Sequence, residues 1–227
     1  MLFPFWESGG VRVISRRAIR SFAERRPEAL EPLLLWASAT ESADWRSPAD
    51  VRLTFNTAYF VGELTVFDVG RNKGRVIVFV QGIRQESVEE KSTSIIDLDT
   101  RRYGRLLAKA LPGVIKSEGE NDRVLGIVED LMAKGEGNLT PEEGALLELL
   151  VDLTHDFEEQ HYPLPAVPPR GMVAFLLEQR GLKPSALWQV PGSRGRVSEI
   201  LAGKRGISKE QAKRLAAFFR VGVELFI

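Results

Sequence analysis

The stretch that decides this fold is MVAFLLEQRGLKPSALWQVPGSRGRVSEILAGKRGISKEQAKRLAAFF, residues 172–219. Apolar residues recur in it at helical spacing, in four segments that glycines and prolines separate. Gly181 ends the first segment as a left-handed C-cap, Pro184 opens a short second helix at about 183–188, and Ser208 caps the fourth. The stretch therefore predicts a small bundle of four helices.

The third helix, predicted at residues 193–202, has an apolar and a polar side. Val197, Ile200 and Leu201 face inward, and a short glycine-containing turn precedes the helix. Two helices joined in this way form a helix-turn-helix, whose second helix enters the major groove of DNA. We predict the following DNA-binding residues: Ser193, Arg194, Arg196, Ser198, Glu199, Lys204 and Arg205. The alternative is a helical bundle whose polar third helix is only solvated.

Charge is distributed unevenly along a chain whose formal net charge is zero. Residues 1–90 contain 12 basic and 12 acidic residues, residues 91–165 contain 8 and 15, and residues 166–227 contain 11 and 4. The positive end has the electrostatic character of a protein that binds a polyanion. The acidic middle segment is expected to repel nucleic acid or to pair with a basic surface.

The composition excludes several classes of site. The 227 residues include no cysteine and two histidines, so disulfides, thiolate nucleophiles and cysteine zinc sites are ruled out. Phosphate-loop and dinucleotide fingerprints are absent from the sequence, and we therefore predict neither a cofactor nor a metal. No apolar run approaches the ~20 residues that span a bilayer, and the opening MLFPFW is too short for a signal sequence. A cytoplasmic protein is expected.

The segment GSRGRVSEILAGKR, followed by a helix and the apolar end VELFI, resembles the Xre/Cro-type antitoxins of the HigA type. The resemblance implies a C-terminal helix-turn-helix that binds DNA as a homodimer, with a palindromic operator. It also covers LDTRRYGRLLAKALPGVI from about residue 98, which is similar to the start of such an antitoxin.

A second resemblance covers about residues 11–80. VRVIS predicts a strand, two helices follow to about residue 43, Ser47 and Pro48 start a short helix, and two strands form a hairpin around RNKG. This order, with ADWRSPADVRLTF and TVFDVGRNKGRVIVFV, resembles the HigB toxins of the RelE-like superfamily, which are ribosome-associated mRNA endonucleases. The resemblance implies phosphate-stabilising cations as catalytic residues: Lys73, Arg75 and Arg71, with Arg84 as a further candidate.

The toxin-like segment departs from its family after the hairpin. The family continues with a strand and a segment that carries histidine and tyrosine, whereas this chain has QGIRQESVEEKSTSIIDLD. Lysine and arginine stabilise phosphate charge but are poor general bases at neutral pH, so the toxin-like half is expected to be neutralised or inactive. Residues 95–99 could replace the missing strand at the exposed edge of the sheet.

The middle of the chain predicts helices. Ser117 and Glu120 have capping-box spacing before a helix at about 118–134, and Thr140 and Pro141 start a leucine-rich helix. Its leucines either pack within the domain or form a partner surface. HYPLPAVPPR then predicts an extended connector.

The predicted fold class is α+β, in four segments. A RelE-like domain with a small antiparallel sheet, truncated at its C-terminal end, spans residues 11–90, and the acidic helical N-terminal and dimerisation region of the antitoxin spans 97–162. A proline-rich connector spans 163–170, and an all-α helix-turn-helix domain spans 171–227.

Three functions stay open from the sequence. The first is a fused toxin–antitoxin protein that represses its own promoter and contacts no membrane. The second is an active mRNA endonuclease on the ribosome, restrained by the fused antitoxin half. The third is a transcription factor whose toxin-like half serves only for packing or sensing.

Overall fold

The computed structural model describes residues 16–45, 47–61, 64–69, 74–79, 98–135, 138–190 and 193–227. Within these ranges the fold is α+β, with nine α-helices and one three-stranded antiparallel sheet. The described residues form two compact units. We call residues 16–18 with 98–163 the helical unit, and residues 19–79 with 164–227 the mixed unit.

The helical unit is built from α4 (Thr100–Ala110), α5 (Glu118–Met132) and α6 (Pro141–His161). The Asp99 side chain caps α4 by accepting hydrogen bonds from the amides of Arg101 and Arg102. Thr140 caps α6 as predicted, and it forms a capping box with Glu143, because the Thr140 hydroxyl and the Glu143 carboxylate each accept from the other's backbone amide. Residues of all three helices and the α4–α5 loop form one core: Ala110, Ile115, Val124, Val128, Leu131, Leu146, Leu147, Leu150 and Phe157.

The start of α5 differs from the prediction in one detail. Ser117 caps the helix by accepting a hydrogen bond from the Glu120 amide. The Glu120 carboxylate, however, accepts from the Lys116 amide at 3.0 Å, one residue before the N-cap. The side chain therefore bonds the loop that leads into the helix instead of closing a capping box.

The mixed unit begins with four elements that precede its sheet. Helix α1 (Arg16–Arg25) belongs to this unit from Ile19 onward. A 3₁₀ turn (Pro27–Ala29) then leads into α2 (Leu30–Glu41). The Ser47 hydroxyl accepts from the Asp50 amide and caps α3 (Pro48–Thr54), as the sequence predicts. The predicted strand at 11–15 lies outside the described residues, as do Ile95 to Asp97 of the proposed replacement strand.

The region from Tyr59 to Phe79 contains three strands, one more than the two that the sequence predicts there. Its order is β1 (Tyr59–Val61), β2 (Leu64–Val69) and β3 (Gly74–Phe79), with Tyr59 opposite Val66 and Val66 opposite Ile77. The apolar run from Tyr59 was predicted to be a single strand and instead forms two that pair with each other. Gly62 stands between them in sequence, and glycine weakens a continuous strand.

The C-terminal part of the mixed unit consists of α7 (Pro169–Gln179), a 3₁₀ helix (Pro184–Leu187), α8 (Arg194–Leu201), α9 (Lys209–Phe219) and a final 3₁₀ helix (Val223–Phe226). Gly181 has φ +62° and Ser208 caps α9, as predicted, and Ser208 also forms a capping box with Gln211. The second predicted helix is only a four-residue 3₁₀ helix, because the chain turns again after Trp188.

One core joins the sheet to these C-terminal helices. Phe55 lies 6.0 Å from Phe175 of α7 between ring centroids, in an edge-to-face arrangement, and Phe67 of β2 lies 5.0 Å from Phe55. The cluster includes Trp36, Trp45, Phe55 and Phe67 from the first part of the unit and Met172, Phe175, Leu176, Phe219 and Phe226 from the second. Residues 19–79 and 164–227 therefore fold as a single body.

Candidate nucleic-acid interface

Helix α8 is fixed at both ends and along its inner side. The Ser193 hydroxyl caps it by accepting a hydrogen bond from the Arg196 amide at 3.3 Å. At the other end Gly203 has φ +69°, and the amides of Gly203 and Lys204 donate to the carbonyls of Ile200 and Glu199. Val197 and Ile200 are buried. The helix therefore presents its remaining side chains in one defined orientation.

The structure places all seven predicted DNA-binding residues on the surface. Five of them lie on α8 and its cap, and Lys204 and Arg205 lie in the turn that follows. Every one of these side chains is exposed, while Leu201, which was predicted to face inward, is half-buried. An exposed polar helix face followed by two cations suits a groove of DNA and its phosphate backbone.

Three of the seven residues have partners on the surface. The Arg205 guanidinium forms an ion pair with the Glu199 carboxylate at 3.4 Å. The Arg194 guanidinium carbon lies 5.3 Å from the centre of the Trp188 ring, at the distance of a cation–π contact. Within the described ranges, Arg196 and Lys204 form no ion pair, so their charges are available to a ligand.

The sequence prediction missed two residues beside this surface. Trp188 follows the 3₁₀ helix and is 42% exposed, which is unusual for a tryptophan. Arg170 was assigned to the connector but lies in the first turn of α7, and its guanidinium group lies against Gly203. An aromatic residue in a basic segment was a signal for Trp188, whereas the position of Arg170 depends on the packing of α7 against α8.

Arg180 attaches the C-terminal module, residues 164–227, to the sheet half of the mixed unit, residues 19–79. Its guanidinium group donates to the Phe218 carbonyl at 2.7 Å and to the Leu53 carbonyl, and it lies over the rings of Phe218 and Phe219. Burial lowers the pKa of the Arg180 guanidinium, and the charge of Arg220 lowers that pKa further. Arg180 thus connects α3 to α9.

Backbone contacts and one ion pair strengthen the same attachment. The Asn56 amide donates to the Gln179 carbonyl at 3.0 Å, and the Gly222 amide donates to the Ser42 carbonyl at 3.1 Å. Ala43 and Val221 form an antiparallel bridge. Arg220, which ends α9 in the left-handed conformation, pairs with Asp50 at 3.6 Å. These links connect Gln179, at the end of α7, and residues 220–222, after α9, to residues 42–56.

The candidate catalytic residues are only partly within the described structure. Lys73, Arg71 and Arg84 lie outside it, and Arg75 lies in β3, where its Cα pairs with that of Asp68. The two histidines lie on α6, far along the chain from the hairpin, and His161 stacks on Phe157 with ring centroids 3.9 Å apart. The described side chains do not define a ribonuclease site.

The described residues contain neither a cluster of metal-ligating side chains nor a membrane-spanning helix. No group of three or more His, Cys, Asp and Glu side chains in them is arranged to hold a metal ion. None of the helices that the structure describes is long and apolar enough to cross a membrane.

Comparison with known proteins gave matches to both partners of one type of system. Residues 29–88 match the model of a family described as HigB_toxin, the RelE-like toxic component of a toxin-antitoxin system. The chain is 31% identical to Antitoxin HigA of Escherichia coli strain K12 over 139 residues, which are 57% of this chain and 96% of that protein. Antitoxin HigA of E. coli O6:H1 and of Shigella flexneri match with the same identity and coverage.

Proposed function

Since the chain belongs to the HigB/HigA family of toxin–antitoxin proteins, we propose that it carries both partners and acts as a sequence-specific DNA-binding autorepressor. In this proposal residues 11–90 are a RelE-like toxin domain, 97–162 the helical part of an antitoxin, 163–170 a connector and 171–227 a helix-turn-helix domain. The toxin half is neutralised or inactive.

The observation that carries the proposal is the surface of α8. Its apolar side is buried against α7 and the 3₁₀ helix, while its exposed side holds Arg194, Arg196, Ser198 and Glu199. The segment 166–227 around it has a net charge of +7 from 11 basic and 4 acidic residues. A basic, rigidly held helix with exposed hydrogen-bonding side chains is what reading of the major groove requires.

The mechanism assigns a different role to each part of this surface. Arg196 contacts a base edge, for which guanine with its two acceptors is the best partner, and Lys204 contacts a backbone phosphate. Two subunits place their α8 helices in successive major grooves about 34 Å apart, so the operator is palindromic and the protein is a homodimer.

The sheet half supports the inactive state of the toxin. Its core is completed by α7, α9 and Phe226, so it does not form a separate body from which the C-terminal module could detach. The sequence after the hairpin, QGIRQESVEEKSTSIIDLD, also lacks the histidine and tyrosine that the resembled family has there.

Binding of the full chain to DNA from its own upstream region tests the proposal, with scrambled DNA for comparison. We expect the Arg196→Ala substitution to cost ~1–3 kcal/mol on the operator and to relax specificity at one position, whereas Lys204→Ala weakens binding to all sequences alike. Arg105→Ala and Lys109→Ala are matched controls, because both are exposed cations of α4 in the helical unit.

Two outcomes would contradict the proposal. Equal affinity of the full chain for upstream and scrambled DNA would exclude specific repression. Equal losses on every sequence for the Arg196 and Lys204 variants would exclude base recognition by Arg196.

The second candidate function is an active mRNA endonuclease restrained by the antitoxin half. The observation in its favour is that the toxin-family match, residues 29–88, includes Lys73, Arg75 and Arg71. Its test is mRNA cleavage by the full chain in a translating extract, compared with a Lys73→Ala, Arg75→Ala double variant. Cleavage that the double variant lacks supports an incompletely restrained enzyme, and equal cleavage by both proteins excludes Lys73 and Arg75 as its catalytic residues.

A further inference from the structure

We propose that Arg170 and Trp188 complete the DNA-binding surface by placing a positively charged cluster of side chains at each end of α8. The helix then spans one major groove between the two phosphate backbones. The inference rests on the proposed DNA-binding function and adds two residues that the sequence analysis did not assign to the DNA-binding surface. Arg170 is a phosphate-binding residue in it, and Trp188 is a positioning residue that acts through Arg194.

The first cluster lies at the C-terminal end of α8. Gly203 ends the helix with φ +69°, and the Arg170 side chain covers it, with Cδ and Cζ 3.2 Å from the place where a Cβ would stand. A side chain at position 203 would also collide with Nη1 of Arg170. The missing Cβ therefore permits both the left-handed turn and the approach of the guanidinium group. The Arg170 guanidinium group thus lies against Gly203, the residue that precedes Lys204 in the chain.

Arg170 adds a charge that Arg205 does not fully provide. Arg205 is paired with the Glu199 carboxylate at 3.4 Å, so part of its charge is neutralised within the protein. Arg170 and Lys204 are both exposed, and within the described ranges neither forms an ion pair. These two cations form the cluster that meets a phosphate at this end.

The second cluster lies at the N-terminal end of α8. Trp188 exposes 42% of its surface, and the Arg194 guanidinium carbon lies 5.3 Å from its ring centre. The ring limits the positions that the long Arg194 side chain can adopt. Arg194 is thereby held at the start of the helix instead of moving freely in solvent.

The distance between the clusters fits the groove. Helix α8 has eight residues and is about 12 Å long at ~1.5 Å per residue. The major groove of B-DNA is about 12 Å wide. When α8 lies in the groove, a cluster at each end reaches one of the two phosphate backbones, and the polar residues between them face the base edges.

The salt dependence of DNA binding tests the role of Arg170. Binding of the full chain to fluorescently labelled operator and scrambled DNA is measured between about 50 and 200 mM salt. One phosphate contact contributes about 0.9 to the slope of log K against log salt, so wild-type affinity should fall about threefold more over this range than that of Arg170→Ala. We expect Arg170→Lys to restore the slope and the Arg105→Ala control to leave it unchanged.

A double-mutant cycle tests the role of Trp188. If Trp188 acts through Arg194, Trp188→Ala and Arg194→Ala each weaken operator binding, the former between about two- and fivefold, and the double variant is no weaker than Arg194→Ala alone. We expect Trp188→Phe, which keeps a ring under the guanidinium group, to retain most of the affinity. Additive losses would overturn the positioning role, and far-UV circular dichroism verifies that each variant is folded.

The outcomes separate this inference from the proposed function. An unchanged salt slope for Arg170→Ala, in a chain that binds its operator and responds to Arg196→Ala, overturns the inference alone. A full chain that binds no DNA overturns both.

Discussion

Replacement of Phe175 by alanine should destabilise the sheet half of the mixed unit, although Phe175 belongs to the C-terminal helices. The Phe175 side chain is 6% exposed and its ring contacts that of Phe55, which in turn contacts Trp45 with ring centroids 5.7 Å apart. Loss of a buried phenyl ring with partial relaxation costs about 3–5 kcal/mol. Domains have about 5–15 kcal/mol of unfolding free energy in total, so this loss is large.

Urea unfolding monitored by tryptophan fluorescence measures the effect, because Trp36 and Trp45 are buried in the same cluster. We expect the free energy of unfolding to fall by about 3–5 kcal/mol for Phe175→Ala and by no more than about 1.5 kcal/mol for Phe175→Leu, which fills more of the space. It should change by less than about 0.5 kcal/mol for the exposed control Lys213→Ala. A fluorescence transition that Phe175→Ala leaves in place, while the helical signal shifts, would refute a shared core.

Three further substitutions have defined outcomes. Thr140→Ala removes the cap of α6 and should lower the stability of the helical unit by about 1 kcal/mol, which thermal unfolding followed by circular dichroism would detect as a lower midpoint. Gly181→Ala places a side chain at φ +62° with its Cβ 3.1 Å from Nδ2 of Asn56, and should cost about 1–2 kcal/mol in urea unfolding; an unchanged midpoint would contradict the strain. A hydrogen bond from the Asp99 amide holds the pKa of the Glu142 carboxyl below its ordinary value, so its stabilising effect is complete above the unfolded-state pKa and is lost as pH falls through the folded-state pKa. Glu142→Gln should therefore lose less stability than the wild type between about pH 7 and pH 3, and equal losses would count against this role.

Local features of the fold were predictable because they depend on neighbouring residues. Ser47, Thr140 and Ser208 cap helices as predicted, since a hydroxyl three residues before a free amide is a local arrangement. The polar side of α8 was predictable for the same reason, because Val197 and Ile200 define the buried side through helical spacing alone.

Features that depend on contacts between distant parts of the chain were not predictable. The guanidinium group of Arg180 bonds to carbonyls at positions 53 and 218, and nothing in the residues around Arg180 indicates either partner. Arg170 was placed in a connector because four prolines precede or surround it, yet its role depends on the closeness of Gly203. The DNA-binding role itself stays a prediction that the binding experiments test.

The contact between Phe55 and Phe175 has a consequence for synthesis of the protein. The two residues are separated by about 120 positions, and the helical residues 98–163 lie between them in the chain. At roughly 5–20 residues per second, the toxin-like segment is translated through Phe55 about 6–24 seconds before Phe175, the first of its aromatic neighbours in the C-terminal helices. Throughout that interval its apolar face lacks the partners that cover it in the finished fold. The toxin-like half can therefore complete its native core only after the antitoxin-like end of the same molecule has been translated.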